Sequence, residues 1–109
     1  MSSIKHMVTF SLHGGKDTPA AEAFLKESTK ELSTIPGVQQ FEVLRQVSSK
    51  NEYDYAFSMI FEDQKAYDTY NDHPVHQNYV ATRWLKEVSH FQEIDLISYH
   101  LDTSSKKVI

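Results

Sequence analysis

The chain has 109 residues, no cysteine, and 11 Lys and Arg against 15 Asp and Glu, which gives a net charge of −4. This length fits one domain, and the missing cysteines exclude disulfides, thiolate nucleophiles and cysteine-ligated metal sites. The acidic balance argues against a nucleic-acid partner, and the apolar runs are too short for a membrane span or a signal peptide. We therefore expect a cytoplasmic protein with one domain over residues 4–100 and a loose tail over residues 101–109, without a membrane partner.

The first two predicted elements are a strand and a helix. Odd-even alternation from Ile4 to Leu12 predicts a strand, with Ile4, Val8, Phe10 and Leu12 on one face. Thr18 followed by Pro19 is typical of a helix N-cap and first helical position, and the helical stripe that follows stops before Ile35-Pro36-Gly37. That stripe consists of Ala21, Phe24, Leu25, Ser28 and Leu32.

Two further strands are predicted in the middle of the chain. Residues Val38–Val47 alternate, and turn residues follow at 48–51. Residues Tyr53–Phe61 alternate again and are rich in aromatic side chains, which favour strands.

The last third of the chain predicts two helices and a final strand. Asp63 caps a helix that must end near Asp72-His73, because Pro74 disfavours helical geometry in the residue before it. Pro74 then starts a helix that runs to about Glu87, and a fourth strand is expected from about Phe91 to Tyr99. The inner face of the Pro74 helix is predicted to carry Val75, Tyr79, Val80, Trp84 and Val88.

The order β-α-β-β-α-α-β predicts an α+β, ferredoxin-like protomer with a four-stranded antiparallel sheet and helices on one face only. The other face also carries apolar side chains such as Met7 and Ile60, so it needs a cover. A second copy of the chain, packed sheet against sheet, would provide it. We therefore expect a homodimer.

Six histidines are the most informative feature after the missing cysteines. His6 lies on the apolar face of the first strand, where its ring must either find a partner inside the core or line a cavity. Asp95 on the fourth strand is a candidate partner.

Tyr70 and His76 flank the bend expected at His73-Pro74 and are predicted to face the same space above the sheet. An imidazole can take a proton at neutral pH, and a phenol stays protonated and can stabilise a developing oxyanion. Such a pair suits proton abstraction next to a carbonyl group, without a cofactor. The alternative is a purely structural role, in which both rings pack at the edge of the core.

Metal binding is the other chemical alternative for this segment. His73 and His76 are three residues apart, so two imidazoles on one helical face have the spacing to share an ion. No third ligand lies nearby in sequence, and capping of the helix at Pro74 accounts for His73. We therefore expect neither a metal nor a cofactor.

Five segments of the chain together resemble the stress-responsive A/B barrel (Dabb) family over about Ile4 to Tyr99. The most specific element is Tyr-x-x-His-Pro-x-His at residues 70–76. The segments are Ile4–Val8, Ile35–Val38, Phe61–Asp63, Tyr70–Gln77 and Phe91–Asp95.

The resemblance implies a dimeric α+β barrel built from ferredoxin-like protomers. One member type, olivetolic acid cyclase, closes a linear polyketide with a His base and a Tyr. Carried over by motif, His76 would be the base and Tyr70 the hydroxyl that polarises the carbonyl. His6 would line the cavity, with His73 and Asp95 as supports.

These observations lead us to expect a cavity between sheet and helices that binds a small apolar or carbonyl-containing ligand, with cyclase- or lyase-type activity. Two alternatives stay open: a non-catalytic stress-related binding or structural protein, and a cofactor-free monooxygenase of the related dimeric barrel type. The predicted catalytic residues are His76 and Tyr70. The predicted ligand-binding residues are His6, Val8, Phe10, Phe24, Phe57, Tyr79, His73 and Asp95.

Overall fold

The computed structural model describes residues 2–100, so the predicted tail at 101–109 lies outside the described residues. Four strands and a set of helical segments follow one another in the predicted order. They are β1 (Ile4–Leu12), α1 (Pro19–Leu32), β2 (Gln39–Arg45), β3 (Tyr55–Phe61), α2 (Gln64–Asp72), α3 (Pro74–Tyr79), a π-helical turn (Val80–Trp84), α4 (Leu85–Glu87) and β4 (Val88–Leu96). No helix in the described part of the chain is long and apolar enough to cross a membrane.

The strands form one antiparallel sheet in the order β2-β3-β1-β4. In the centre of the sheet, His6 of β1 lies opposite Met59 of β3 and Asp95 of β4. Residues directly opposite one another point to the same face of a sheet, so these three side chains all face the helices. The ferredoxin-like fold class predicted from the sequence is confirmed.

Side-chain caps explain where the longer helices begin. The Thr18 hydroxyl accepts a hydrogen bond from the amide of Ala21 at 3.1 Å, and the Asp63 carboxylate accepts one from Ala66 at 2.8 Å. At α3 the cap is an imidazole: Nδ1 of His73 accepts from the amide of Val75 at 3.1 Å. Each cap satisfies one of the amides that a helix N-terminus leaves without a partner.

The second half of the chain differs from its predicted boundaries in two places. The helix expected from Pro74 to Glu87 is interrupted by the π-helical turn, and Val75 is 37% exposed rather than part of the inner set. β4 begins at Val88 and ends at Leu96, three residues earlier at each end than predicted. Val88 already pairs with Leu12, because one extra residue of β4, Ser89, shifts the register there. Regular alternation begins only at Phe91, so the sequence pattern does not indicate the earlier start of the strand.

The two middle strands are shorter than predicted. β2 covers Gln39–Arg45 and β3 covers Tyr55–Phe61, and the register between them shifts between Gln39 and Glu42. Gln40, within this shift, has a φ of 51°, which is uncommon for a residue other than glycine. Residues 46–47 and 53–54, which were predicted to extend the two strands, belong to the connection between them.

The hydrophobic core lies between the sheet and the helices. Its centre is aromatic: the Phe10 ring lies 4.7 Å from that of Phe57 and 5.1 Å from that of Trp84. Phe24 of α1 packs edge-on against Phe10 at 5.9 Å. Aromatic side chains remove a large apolar area from water, so this cluster fixes the helical layer on the sheet.

Candidate functional site

A cavity of about 270 Å³ lies between the sheet and the helical layer. Its floor is formed by side chains of β1, β3 and β4, and its roof by α1, α2, α3, the π-helical turn and α4. The lining residues are His6, Val8, Leu32, Phe57, Met59, Tyr70, His76, Tyr79, Val80, Trp84, Leu85, Phe91 and Glu93. The walls are therefore mostly apolar, with a few polar groups, as is usual for small-molecule sites.

The bend between α2 and α3 brings Tyr70 and His76 together at this cavity. α2 ends at Asp72, and His73 adopts an extended conformation that turns the chain into α3 at Pro74. The ring centroids of Tyr70 and His76 are 4.4 Å apart, and both side chains line the cavity. Their contact follows from the hinge, since two residues six positions apart in one straight helix would point in different directions.

Tyr70 is only 2% exposed, and burial raises the pKa of its phenol above the usual value near 10. Its hydroxyl has no hydrogen-bond partner among residues 2–100, although it is not sealed inside the protein. The phenol is therefore protonated at neutral pH and can donate its hydrogen to an oxygen atom of a ligand.

The side chain of His76 is oriented by a hydrogen bond to the main chain near the hinge. A carbonyl oxygen only accepts, so Nδ1 of His76 donates to the carbonyl of Asn71, at 3.3 Å. Burial lowers the pKa of His76 below its usual value near 6.5, and the hydrogen bond to Asn71 opposes this effect in part. The ring is accordingly neutral at pH 7, and its Nε2 atom carries the free lone pair of a base.

His6, on the floor of the cavity, forms a hydrogen-bonded cluster with Asp95 of β4 and Tyr67 of α2. Nδ1 of His6 lies 2.6 Å from Oδ1 of Asp95, and the Tyr67 hydroxyl lies 3.0 Å from both carboxylate oxygens. The same hydroxyl oxygen is 2.9 Å from Nδ1. Burial and the hydrogen bond to Asp95 raise the pKa of Tyr67, which therefore stays protonated.

Two further polar groups line the cavity. The Tyr79 hydroxyl is engaged with the buried Ser28 hydroxyl at 2.6 Å, and this bond joins α3 to α1 across the roof. Glu93 lies on β4 opposite Val8 and brings a carboxylate to the cavity. Tyr79 thus stabilises the helices of the roof, whereas Glu93 places a carboxylate at the edge of the cavity.

The structure brings together six of the residues that the sequence analysis singled out. His6, Val8, Phe57, Tyr70, His76 and Tyr79 line the cavity. Phe10 and Phe24 are fully buried in the aromatic core beside it, and His73 caps α3. Asp95 lies behind His6, as its partner.

Sequence reasoning missed Tyr67 and Glu93 as members of the site. Tyr67 precedes Tyr70 by one helical turn, so both rings lie on the same face of α2 and reach the same side of the sheet. Glu93 alternates with Phe91 and Asp95 along β4 and therefore shares their face. Both signals are visible in the sequence once the strand and the helix have been placed against each other.

The geometry supports proton transfer more readily than metal binding. In the part of the chain that the structure describes, no three His, Asp or Glu side chains form a cluster with which a metal could be held. The cavity instead holds a neutral imidazole beside a protonated phenol within apolar walls. Such a pair can remove a proton next to a carbonyl group and stabilise the enolate oxygen.

Comparison with solved structures places the fold among known ferredoxin-like proteins. A Dabb family protein with a ferredoxin-like fold from Mesorhizobium loti is 44% identical with a TM-score of 0.89, over 92% of this chain and 100% of that one. A dimeric ferredoxin-like protein of unknown function from Thermobifida fusca is 18% identical with a TM-score of 0.70, over 89% and 92%. SnoaB, a cofactor-independent oxygenase from Streptomyces nogalater, is 14% identical with a TM-score of 0.68, over 93% and 97%.

The last two similarities concern the fold alone, because their identities are low. No curated protein sequence matches the chain. The family model described as Stress responsive A/B Barrel Domain matches residues 4–98, which is almost all of the part described by the structure. Together with the similarity to the Mesorhizobium loti protein, this match confirms the resemblance inferred from the sequence. The chain belongs to the stress-responsive A/B barrel (Dabb) family.

Proposed function

We propose that the protein binds a small, largely apolar carbonyl compound in the cavity and catalyses a cofactor-independent proton transfer at the carbon next to the carbonyl. The observation that carries this proposal is the contact between Tyr70 and His76, whose ring centroids are 4.4 Å apart at the cavity wall. Aldol cyclisation, elimination to an α,β-unsaturated carbonyl and keto–enol isomerisation can each begin with such a transfer.

In this mechanism Nε2 of His76 removes the proton. The C–H electron pair forms the carbon–carbon double bond of the enolate, and the carbonyl electron pair moves onto oxygen. The Tyr70 hydroxyl donates a hydrogen bond to that oxygen, and the apolar surroundings strengthen this interaction because little water competes for it. The lowered pKa of His76 keeps the base in its active, neutral form.

The ligand class follows from the dimensions and the walls of the cavity. A volume of about 270 Å³ lies just below the usual range for small-molecule sites, roughly 300–1,000 Å³, so the ligand must be small. Leu32, Phe57 and Met59 offer apolar contacts, and the polar groups are concentrated around Tyr70. A ligand with one carbonyl end and one apolar end matches this distribution.

The assembly that we propose is a homodimer. The sheet face away from the helices carries Ile94 and Leu96, which are 38% and 48% exposed. Burial of such side chains against a second copy is favourable, and an antiparallel sheet with a second apolar face needs a cover of this kind. The Thermobifida fusca protein of the same fold is described as dimeric, which supports this assembly.

A panel of alkyl and aryl methyl ketones tests the proposed activity. We expect members of the panel to raise the melting temperature and to incorporate deuterium at the α carbon in D₂O. His76→Gln should slow this exchange about 100-fold, a typical contribution of a general base. Tyr70→Phe should also slow it, and His13→Gln, in an exposed turn, is the matched control.

Each result decides between the functions considered. Stabilisation by ketones without deuterium incorporation would indicate a binding protein instead of an enzyme. If wild type and His76→Gln exchange at the same rate, His76 is not the base.

A further inference from the structure

We propose that His6 is a second proton-transfer residue of this cavity, positioned by Asp95 and Tyr67, and that it acts on the ligand face opposite to the one that His76 contacts. This inference rests on the proposed function for its substrate class. It concerns a group on the sheet, whereas Tyr70 and His76 belong to the helical layer.

The orientation of His6 follows from the groups around Nδ1. The Asp95 carboxylate only accepts hydrogen bonds, so the hydrogen that it receives at 2.6 Å belongs to Nδ1 of His6. The Tyr67 hydroxyl donates to the same carboxylate at 3.0 Å. A neutral imidazole that carries its hydrogen on Nδ1 has its lone pair on Nε2, on the other side of the ring.

The Nε2 atom of His6 is available to a ligand. Among residues 2–100 no group forms a hydrogen bond with it, and it is not among the sealed polar atoms without a partner. His6 nevertheless has only 5% of its surface exposed, and it lines the cavity. A buried lone pair without a protein partner that faces a cavity is a site for a proton or a hydrogen-bond donor of the ligand.

The supporting residues give this imidazole the arrangement of a general base. A carboxylate on Nδ1 fixes the tautomer and the orientation of a histidine, and it stabilises the imidazolium that forms when Nε2 takes a proton. Tyr67 holds the carboxylate through both oxygens, so the carboxylate has a defined position behind the ring. Asp95 and Tyr67 are therefore positioning residues.

The two imidazoles occupy opposite walls. His6 lies on β1, in the floor of the cavity, and His76 lies on α3, in its roof. Both flank the same phenol, because the Tyr70 ring centroid is 6.4 Å from that of His6 and 4.4 Å from that of His76. A flat carbonyl ligand whose oxygen contacts Tyr70 therefore presents one face to each base.

The chemistry at His6 balances in the same way as at His76. The C–H bond on the floor side breaks, its electron pair enters the enolate, and the proton binds to Nε2 of His6. The enolate oxygen accepts a hydrogen bond from the Tyr70 hydroxyl, and the positive charge on the imidazole lies next to the Asp95 carboxylate. Return of a proton or deuteron from solvent-equilibrated imidazolium restores the carbonyl compound.

Two bases on opposite faces predict a stereochemical result that a single base does not give. Phenylacetone is a suitable probe, since its benzylic carbon carries two prochiral hydrogens next to a carbonyl group. In D₂O at about pH 8, above the ordinary histidine pKa, wild type should exchange both hydrogens. His6→Gln should slow the exchange of one hydrogen about 100-fold, and His76→Gln that of the other.

The positioning residues are tested with the same measurement. Asp95→Asn should slow the exchange of the hydrogen that His6→Gln affects and leave the exchange of the other unchanged. Tyr67→Phe should slow the exchange of the same hydrogen roughly tenfold. Deuterium NMR in a chiral oriented medium distinguishes the two hydrogens. Asp95 is partly exposed, so its variant also serves if His6→Gln does not fold.

The possible failures are distinguishable. Suppose that wild type exchanges the benzylic hydrogens of phenylacetone. If His6→Gln or Asp95→Asn then slows the exchange of both hydrogens equally, or of neither, the role of His6 is refuted and the proposed function stands. If wild type exchanges neither hydrogen above the buffer rate, although ketones bind, the proposed function fails together with this inference.

Discussion

The two faces of the sheet differ in what their side chains do. On the face toward the helices, His6 lines the cavity with Asp95 behind it, and Phe10 packs in the aromatic core. On the opposite face, Ala56 and Ser58 of β3 are buried, and Met7, Ile60, Ile94 and Leu96 supply larger apolar side chains. One face thus builds a site, whereas the other carries apolar side chains that point away from the helices.

This difference shows how alternation along a strand separates two tasks. Asp95 and Ile94 are adjacent in β4, yet the first supports a histidine at the cavity and the second lies on the uncovered face. A change on one face should therefore affect folding and chemistry, and a change on the other should affect assembly. Variants on the two faces therefore test that separation.

Truncation of the aromatic core should give the largest loss of stability. Phe10 has no exposed surface and packs against Phe57 and Trp84, so Phe10→Ala leaves a cavity that the rigid surroundings fill poorly. We expect the free energy of unfolding to fall by about 3–5 kcal/mol. Lys5→Ala, on the opposite face of the same strand, should change it by less than about 0.5 kcal/mol. Chemical denaturation measures both, and similar losses would contradict the assignment of the two faces.

A charge on the uncovered face should separate the proposed dimer. Ile94→Glu places a carboxylate where an apolar contact is expected, and a two-fold interface meets this change twice. We expect the dissociation constant to rise at least about tenfold, which corresponds to about 1.4 kcal/mol. Glu93→Gln, one residue earlier on the other face, should leave the assembly unchanged. Analytical ultracentrifugation of both variants checks this, and a wild-type chain that stays monomeric at micromolar concentration would refute the dimer.

Sequence reasoning located the elements of the fold because their signals are local. The alternation from Ile4 to Leu12 and the Thr18-Pro19 cap appear in the structure as predicted. The start of β4 could not be predicted, because Val88 is in the sheet only through a register shift opposite Leu12. That shift depends on the partner strand, which the sequence around Val88 does not reveal.

The same distinction applies to the candidate site. The Tyr70 and His76 contact was predicted, because Pro74 makes the hinge visible in the sequence. Val80 and Trp84 were expected on the inner face of a regular helix, but the π-helical turn that carries them was not predicted, because no residue type specifies it. The sequence therefore predicted the pair at the hinge, whereas Tyr67 and Glu93 became visible only once α2 and β4 were placed on the sheet.

The free energy of unfolding should depend on pH through His76, which lies on the cavity face. Its pKa is lowered by burial, with Tyr70, His6 and Glu93 also lining the cavity around it. As the pH falls below about 6.5, the unfolded chain binds a proton at this histidine before the folded protein does, so stability falls. His76→Gln lacks this contribution, so its stability should fall less over the same interval. One such group changes the free energy of unfolding by at most about 1.4 kcal/mol per pH unit. Parallel curves for wild type and variant would show that burial does not perturb His76.

The hydrogen bond across the roof should give the smallest effect. Tyr79→Phe removes the hydroxyl that pairs with Ser28 at 2.6 Å and leaves the Ser28 oxygen buried without that partner. We expect a loss of about 1 kcal/mol, and Ser28→Ala should cost a similar amount because it leaves the Tyr79 hydroxyl unpaired instead. The double variant should then be about as stable as either single one, since the second change removes a group that has already lost its partner. Additive losses in this thermodynamic cycle would mean that the two hydroxyl groups contribute independently, and that the bond between α1 and α3 does not hold the roof of the cavity.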